Sequence, residues 1–298
     1  DLCMKPIIFK GSGCAIVTPF TKDNKINYTV FEQMIENQIK NKCDAIIVCG
    51  TTGESATLTS VERKELIKFT VEKVNKRVPV IAGTGSNCTS SCIELTKYAE
   101  TVGVDACLVV TPYYNKTTQT GLIKHYQAIA SCTNLPIILY NVPSRTGVNI
   151  LPETCLELSK VKNIVAIKDA CGNISQISKT RFLCQDNLQI YSGNDDQIIP
   201  ILSIGGIGVI SVLSNIVPNF THLICSYYFN RYTREAAEMQ LNAMPLINAL
   251  FCEVNPAPVK YALGLMGYDC GLPRLPLVPP CEANKKLIKT ELQKFQLI

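Results

Sequence analysis

The sequence predicts an α/β fold, namely a (β/α)8 TIM barrel with a C-terminal helical extension. Short apolar runs alternate with segments of helical spacing, and eight such units follow one another at roughly thirty-residue steps. The apolar runs are continuous, which indicates strands buried on both faces, as in a parallel sheet covered by helices. Eight units over about 230 residues fit a closed barrel.

The predicted elements follow in chain order. The predicted strands cover residues 13–20, 44–49, 78–82, 105–110, 136–140, 163–168, 189–193 and 208–213. The predicted helices cover residues 28–40, 59–76, 88–101, 121–132, 152–160, 174–183, a short segment up to 204, and 220–231. Thr59 and Glu62 form a capping-box pattern at the second helix, and Pro152 fits the first position of another.

The pattern changes after residue 231. Only helical segments follow, at residues 235–250, 257–266 and 282–295, and they are separated by Asn255–Pro256 and by a proline-rich stretch. We therefore divide the chain into a barrel catalytic domain, residues 1–231, and a C-terminal helical extension, residues 232–298.

A doubly wound open sheet is the alternative architecture. It would place a glycine-rich phosphate-binding turn directly after the first strand. Gly11–Ser12–Gly13 precedes that strand, and Gly83–Thr84–Gly85 follows the third strand without the last glycine of the fingerprint. The barrel is therefore the favoured interpretation.

Composition limits the class of protein. The chain has 298 residues, of which 47% are hydrophobic and 18% charged, with a net charge of +5. The scattered lysines argue against nucleic-acid binding, and no run approaches the ~18 apolar residues of a membrane span. Residues 1–6 lack a signal-peptide pattern. Fifteen cysteines without CxxC pairs predict reduced thiols and a cytoplasmic location.

Metal and cofactor chemistry are not expected. The only two histidines, His125 and His222, fall in different predicted helices. A zinc centre that acts on a carbonyl usually needs two or three histidine ligands at one place. No phosphate-binding GxxxxGK[ST] loop is present either. Carbonyl chemistry would therefore have to use an amine.

The strand ends supply a candidate active site. In a TIM barrel the site lies at the C-terminal ends of the strands. Lys168 ends the sixth strand, Tyr140 ends the fifth, and Thr51–Thr52 follow the second. A desolvated lysine amine can attack a ketone, and nearby hydroxyls can relay the protons that imine formation requires. Each residue alone has an ordinary structural explanation, but their combination favours Schiff-base chemistry.

Four motifs resemble the pyruvate-dependent class I aldolase/lyase family. They are residues 50–54 (GTTGE), 110–115 (VTPYYN), 140–147 (YNVPSRTG) and 167–169 (IKD). The resemblance covers nearly the whole chain, through residues 208–212 (GVISV) to 255–260 (NPAPVK). It is strongest to the members that condense pyruvate with L-aspartate 4-semialdehyde in lysine and diaminopimelate synthesis.

The resemblance implies a role for each candidate residue. Lys168 would form the imine with pyruvate, and Tyr140 would donate and accept protons. Thr51 would link Tyr140 to Tyr114, which the neighbouring subunit supplies in this family. The implied substrate-binding residues are Thr52, Arg145, Ile210 and Gly193, with Arg145 on the carboxylate of the semialdehyde. The implied assembly is a homotetramer, a dimer of dimers.

Two features depart from the family pattern. Asp169 follows the catalytic lysine, where many members have a glutamate, and we expect little effect from this change. Members inhibited by lysine bind it through histidines and an acidic side chain, whereas this chain has Ser60, Arg63 and Ser91 at the matching positions. Asn87 and Tyr113 still fit. Without the acidic partner, we predict weak or absent inhibition by L-lysine.

Two alternative functions remain. N-acetylneuraminate lyase and the 2-keto-3-deoxy sugar acid aldolases share the lysine and the tyrosine, but Thr51–Thr52, Tyr113–Tyr114 and Arg145 favour the semialdehyde reaction. A non-catalytic barrel that binds a keto acid is the second alternative, although it would be expected to lose Lys168 or Tyr140.

Overall fold

Eight parallel strands form a closed barrel, which confirms the predicted TIM barrel. The computed structural model describes residues 4–298. Residues 1–3, which begin both the predicted catalytic domain and the N-terminal segment 1–6, lie outside the described residues. Each strand pairs with the next in the chain, and β8 pairs with β1. The strands are β1 (Gly11–Ala15), β2 (Ala45–Val48), β3 (Val80–Gly83), β4 (Ala106–Val110), β5 (Ile137–Asn141), β6 (Ile164–Asp169), β7 (Gln189–Ser192) and β8 (Gly208–Ser211).

Helices surround the barrel, and most of their bounds agree with the prediction to within two residues. The helices within residues 4–231 are α1 (Tyr28–Lys40), α2 (Ser60–Val74), α3 (Thr89–Val102), α4 (Gln119–Ser131), α5 (Pro143–Thr146), α6 (Pro152–Ser159), α7 (Ile174–Cys184), α8 (Ile198–Ser203) and α9 (Pro218–Phe229). The short helix α5 was not predicted. The capping box at Thr59 and Glu62 is present at the start of α2.

The first strand differs most from the prediction, since it ends at Ala15 and not at residue 20. Beyond it, side chains take over as hydrogen-bond partners. The backbone N–H of Val17 donates to Asn215 Oδ1 (3.2 Å), and Thr18 Oγ1 donates to the carbonyl oxygen of Gly53 (2.7 Å). The apolar sequence of residues 13–20 therefore extends beyond the end of strand β1.

The N-terminal face of the barrel is closed by the segment before β1. The Phe9 ring stacks on the Tyr191 ring at 4.4 Å between centroids, and Tyr191 Oη donates to the carbonyl oxygen of Phe9 (2.6 Å). The Lys5 ammonium donates to the carbonyl oxygens of Ile164 (2.6 Å) and Asn187 (2.9 Å). These contacts leave the C-terminal ends of the strands as the open face.

The C-terminal extension consists of α10 (Thr233–Leu250), α11 (Ala257–Leu265) and α12 (Glu282–Lys294). The predicted division at residues 231 and 232 falls in the turn between α9 and α10. Buried Ile288 and Leu292 of α12 join the core between the barrel and its helices. No helix of residues 4–298 combines the length and the apolar character of a membrane span.

Candidate active site

The predicted lysine and tyrosine lie side by side in the mouth of the barrel. Strands β5 and β6 are neighbours, and their register makes Tyr140 and Lys168 direct partners. The Lys168 side chain is buried, with 6% of the residue exposed. Its Nζ lies 4.0 Å from the centre of the Tyr140 ring. The amine is therefore held inside the barrel next to a phenol and does not extend into solvent.

The charges around Tyr140 lower the pKa of its phenol. Burial by itself raises this pKa, because it disfavours the charged phenolate. The positive charge of Lys168, the hydroxyl of Thr51 and the charge of Arg145 act in the opposite direction and outweigh burial. A phenol with a lowered pKa exchanges its proton more easily, which suits a proton relay.

The Gly50–Glu54 segment, here called the GTTGE loop, turns sharply at the end of β2. Cys49 and Glu54 both adopt left-handed backbone conformations, with φ of 59° and 56°. Gly83 at the end of β3 makes room for the turn, because an added Cβ there would overlap the carbonyl oxygen of Cys49. Thr51 and Tyr140 line a small cavity of about 30 Å³ behind the turn.

Thr52 of the GTTGE loop is buried and is held by the C-terminal extension. Its Oγ1 accepts a hydrogen bond from Asn255 Nδ2 (3.0 Å). The other amide atom, Asn255 Oδ1, has no partner among residues 4–298. The sequence marked Asn255 as part of the 255–260 motif but could not predict its contact with Thr52, because the two residues lie about 200 positions apart.

An open cleft of about 400 Å³ leads to the GTTGE loop. Thr51, Arg63, Tyr113, Arg145 and Asn255 are among its lining residues. Arg145 belongs to α5, and its Nη2 donates to the carbonyl oxygen of Asn255 (3.5 Å). It is in none of the ion pairs within residues 4–298, so its guanidinium can still receive a carboxylate. A larger groove of about 610 Å³ lies between Phe20 and Arg274, but it contains none of the predicted site residues.

The ends of β7 and β8 are fixed by a buried carboxylate that the sequence reasoning did not identify. Asp195 accepts hydrogen bonds from Ser211 Oγ (2.5 Å) and from the backbone N–H of Leu213 (2.9 Å). Burial raises the pKa of Asp195. These bonds hold the turn that follows Ile210, whose own side chain is buried. Gly193 lies at the neighbouring strand end, where its N–H donates to the carbonyl oxygen of Asp169 (2.8 Å).

Asp169 does not share a face with Lys168. Successive side chains of a strand point to opposite faces, so the carboxylate is directed away from the barrel interior. Its Oδ1 accepts from the N–H of Cys171 (3.0 Å) and from Asn141 Nδ2 (3.4 Å). Burial raises the pKa of this carboxyl. Its contacts are those of a group that fixes the turn after β6.

Tyr114 does not join the other site residues of its own chain. It is 91% exposed, adopts a left-handed conformation with φ of 73°, and lines neither of the two cavities next to Thr51. Its loop is tied to Asn87, whose Nδ2 donates to the carbonyl oxygen of Tyr113 (3.1 Å). The structure of one chain therefore presents this tyrosine outward.

The two histidines lie apart and have local partners. His125 Nδ1 is 2.9 Å from Thr89 Oγ1, and His222 Nδ1 is 2.9 Å from Asp44 Oδ2. Within residues 4–298, no group of three histidine, cysteine or acidic side chains is placed to hold a metal ion.

Comparisons with known proteins agree with this geometry. The model of the dihydrodipicolinate synthetase family matches residues 8–295. The chain is 56% identical to 4-hydroxy-tetrahydrodipicolinate synthase 1 of Clostridium acetobutylicum, over 98% of this chain and 99% of that protein. It superimposes on dihydrodipicolinate synthase from Thermotoga maritima with a TM-score of 0.96 and 44% identity, covering 98% and 100% of the two chains. A monomeric dihydrodipicolinate synthase variant gives a TM-score of 0.95 at 44% identity, covering 98% of both chains.

Proposed function

This chain belongs to the dihydrodipicolinate synthetase family, and we propose that its reaction proceeds through an imine between Lys168 and pyruvate. The reaction is the condensation of pyruvate with L-aspartate 4-semialdehyde, a step of lysine and diaminopimelate synthesis, and the protein is a lyase of the class I aldolase type. The observation that carries the proposal is the buried Lys168 amine, which lies 4.0 Å from the Tyr140 ring centre at the open face of the barrel.

The first half-reaction activates pyruvate. Once its ammonium has given up a proton, the Lys168 amine attacks C2 of pyruvate, and Tyr140 passes protons to the oxygen that leaves as water. The resulting iminium withdraws electrons, so that C3 loses a proton and becomes an enamine carbon. Thr51, whose hydroxyl interacts with the Tyr140 phenol, extends the proton relay.

The second half-reaction forms the carbon–carbon bond. The enamine carbon attacks the aldehyde carbon of L-aspartate 4-semialdehyde, and the aldehyde oxygen takes up a proton. The amino group of that substrate then attacks C2 and displaces Lys168, which closes the product ring and frees the enzyme. We therefore assign no cofactor to the reaction, because the iminium that forms on Lys168 is itself the electron sink.

Positions for the two substrate carboxylates follow from the strand ends. We place the pyruvate carboxylate between the GTTGE loop, where Thr52 offers a hydroxyl, and the backbone at Ile210, with Gly193 at the adjoining strand end. We place the carboxylate of the semialdehyde on Arg145. The open cleft of about 400 Å³ gives it access, and the Arg145 guanidinium is in none of the ion pairs within residues 4–298.

The imine is tested by reduction with borohydride in the presence of pyruvate. We expect a mass increase at one position, mapped by peptide analysis to Lys168, and none in Lys168→Ala. Lys260 is the matched internal control, because it is the other lysine of residues 4–298 whose side chain is almost fully buried. Trapping at another lysine, or full turnover in Lys168→Ala, would refute the proposal. Assays with sugar aldehydes in place of the semialdehyde separate the sugar acid aldolase alternative.

We further propose that two chains share each pair of active sites, in a homo-oligomer that is a dimer of dimers, and that the enzyme is cytoplasmic. The exposure of Tyr114 supports the sharing, since the phenol of a tyrosine that is 91% exposed is available to a second chain. The cysteines described among residues 4–298 are free thiols, which is consistent with a reducing compartment.

Mixed oligomers test the sharing directly. Tyr114→Phe and Lys168→Ala are each expected to be inactive or very slow alone. After joint refolding, a mixed dimer would contain one site with both Lys168 and a Tyr114 from the other chain, so activity should reappear. If Tyr114 serves its own chain, no mixture regains activity. Sedimentation measurements give the oligomer size.

A further inference from the structure

The C-terminal extension binds the GTTGE loop through a buried ion pair. Lys260 Nζ of α11 lies 2.7 Å from Glu54 Oε2, and both side chains are 1% exposed. The other carboxylate oxygen, Glu54 Oε1, accepts a hydrogen bond from the backbone N–H of Arg274 (2.9 Å). Two segments of the extension therefore converge on one glutamate at the end of the loop.

Glu54 is placed to determine the shape of the turn. It has a left-handed conformation, and its backbone N–H donates to the carbonyl oxygen of Thr51 (3.0 Å). Because the side chain is anchored and the backbone closes the turn, a shift of Glu54 would move Thr51 and Thr52 with it. The hydrogen bond from Asn255 to Thr52 adds a second connection from the extension.

This ion pair differs from the others in its burial. In every other ion pair of residues 4–298, at least one side chain is 23% exposed or more. Burial of two charges loses hydration that their attraction barely offsets, so such a pair is a poor general stabiliser. The Lys260 ammonium is further fixed by the Phe20 ring, whose centre lies 4.2 Å away. We therefore explain the Lys260–Glu54 pair by the loop geometry that it fixes, and not by a gain in the stability of the fold.

We propose that Lys260 and Glu54 are a positioning pair, which orients the Thr51–Thr52 turn of the GTTGE loop and thereby sets the affinity of the site for pyruvate. The inference rests on the proposed function, because it concerns the loop that holds pyruvate. Both side chains are 1% exposed, so we expect the pair to act through the turn and not by contact with the substrate.

Three variants test the pair: Lys260→Met, Glu54→Gln and Glu54→Gln/Lys260→Met. The double variant removes both charges and leaves none buried without a partner. The control is Lys73→Met, which removes an ion pair between α1 and α2 whose side chains are 39% and 45% exposed. For each variant we would measure kcat, the KM for pyruvate, the Tm and borohydride trapping of pyruvate at Lys168.

We expect the double variant to fold, with a Tm within about 4 °C of the wild type, and to show a KM for pyruvate raised about tenfold. Lys73→Met should leave the KM unchanged. A purely structural role would lower the amount of active enzyme and so reduce kcat, while the KM of the remaining sites stayed the same.

The outcomes are distinct. A folded double variant with a KM for pyruvate within about twofold of the wild type would overturn the positioning role. If the double variant does not fold, the test rests on Glu54→Gln, whose near-isosteric amide keeps an acceptor for the Arg274 N–H. An unchanged KM for pyruvate in Glu54→Gln would also overturn the positioning role. Failure of the proposed function is recognised separately, since the wild type itself would then not be trapped at Lys168.

Discussion

Replacement of Tyr140 by phenylalanine removes one hydroxyl and leaves the rest of the site in place. The ring, which lies 4.0 Å from Lys168 Nζ, still covers the amine. The backbone register between β5 and β6 does not depend on the phenol oxygen. The variant therefore tests proton transfer separately from the packing around the lysine.

The expected loss follows from the role of the phenol. Proton transfer by a positioned group contributes about 10²–10⁴ to the rate, so kcat should fall by that factor, or about 2.7–5.5 kcal/mol. The effect on folding should be small, about 1 kcal/mol or less, because the lost hydroxyl interacts mainly with Thr51 and the Lys168 ammonium. The pyruvate imine should still form, but slowly.

The assay compares turnover with stability. We would measure kcat with both substrates, the rate and final extent of borohydride trapping, and the Tm. Tyr126→Phe is the matched control, because Tyr126 is also fully buried and its Oη donates to the carbonyl oxygen of Val109 (2.8 Å), away from the site. The control should lose stability and keep its turnover. A kcat for Tyr140→Phe within about fivefold of the wild type would refute the relay.

Three further predictions concern stability and regulation. Hydrogen bonding to Arg274 lowers the pKa of Glu62 to about 2, so this pair stabilises the fold above pH 4.5 and the stabilisation is lost as the pH falls through about 2. Glu62→Gln should thus cost about 1–2 kcal/mol at pH 7 in denaturant unfolding, and a difference that persists at pH 2 would contradict this assignment. Gly83→Ala should destabilise the fold by about 1–3 kcal/mol, because the added Cβ overlaps the Cys49 carbonyl; an unchanged unfolding midpoint would be inconsistent with that overlap. L-lysine should inhibit weakly or not at all, because Ser60, Arg63 and Ser91 leave no acidic side chain at the positions that match the lysine site of inhibited family members; half-inhibition well below millimolar would show that another group replaces it.

The barrel, and the closeness of Lys168 and Tyr140, could be predicted because both follow from the order of the strands in the sequence. Apolar runs define strands, and the barrel rule brings their C-terminal ends together, so Lys168 and Tyr140 were placed side by side without any contact information. The same reasoning could not find Lys260 as the partner of Glu54, because 206 positions separate them and no periodicity links them.

Two other differences have the same origin in long-range contacts. Strand β1 is shorter than its apolar run because Asn215, which is distant in sequence, takes over a backbone hydrogen bond. The role of the Asp195 carboxylate could not be predicted either, since it depends on hydrogen bonds from Ser211 and from the turn after β8.

Lys260 follows the last strand of the barrel in the sequence, and this order has a consequence for synthesis in the cell. The eight strands leave the ribosome before residues 232–298 do, at about 5–20 residues per second. The barrel can thus close while the groups that hold Thr52 and Glu54 are still in the exit tunnel. Until Asn255 and Lys260 have been released and packed, for on the order of several seconds, the Thr51–Thr52 turn would lack both connections, and we expect it to bind pyruvate more weakly.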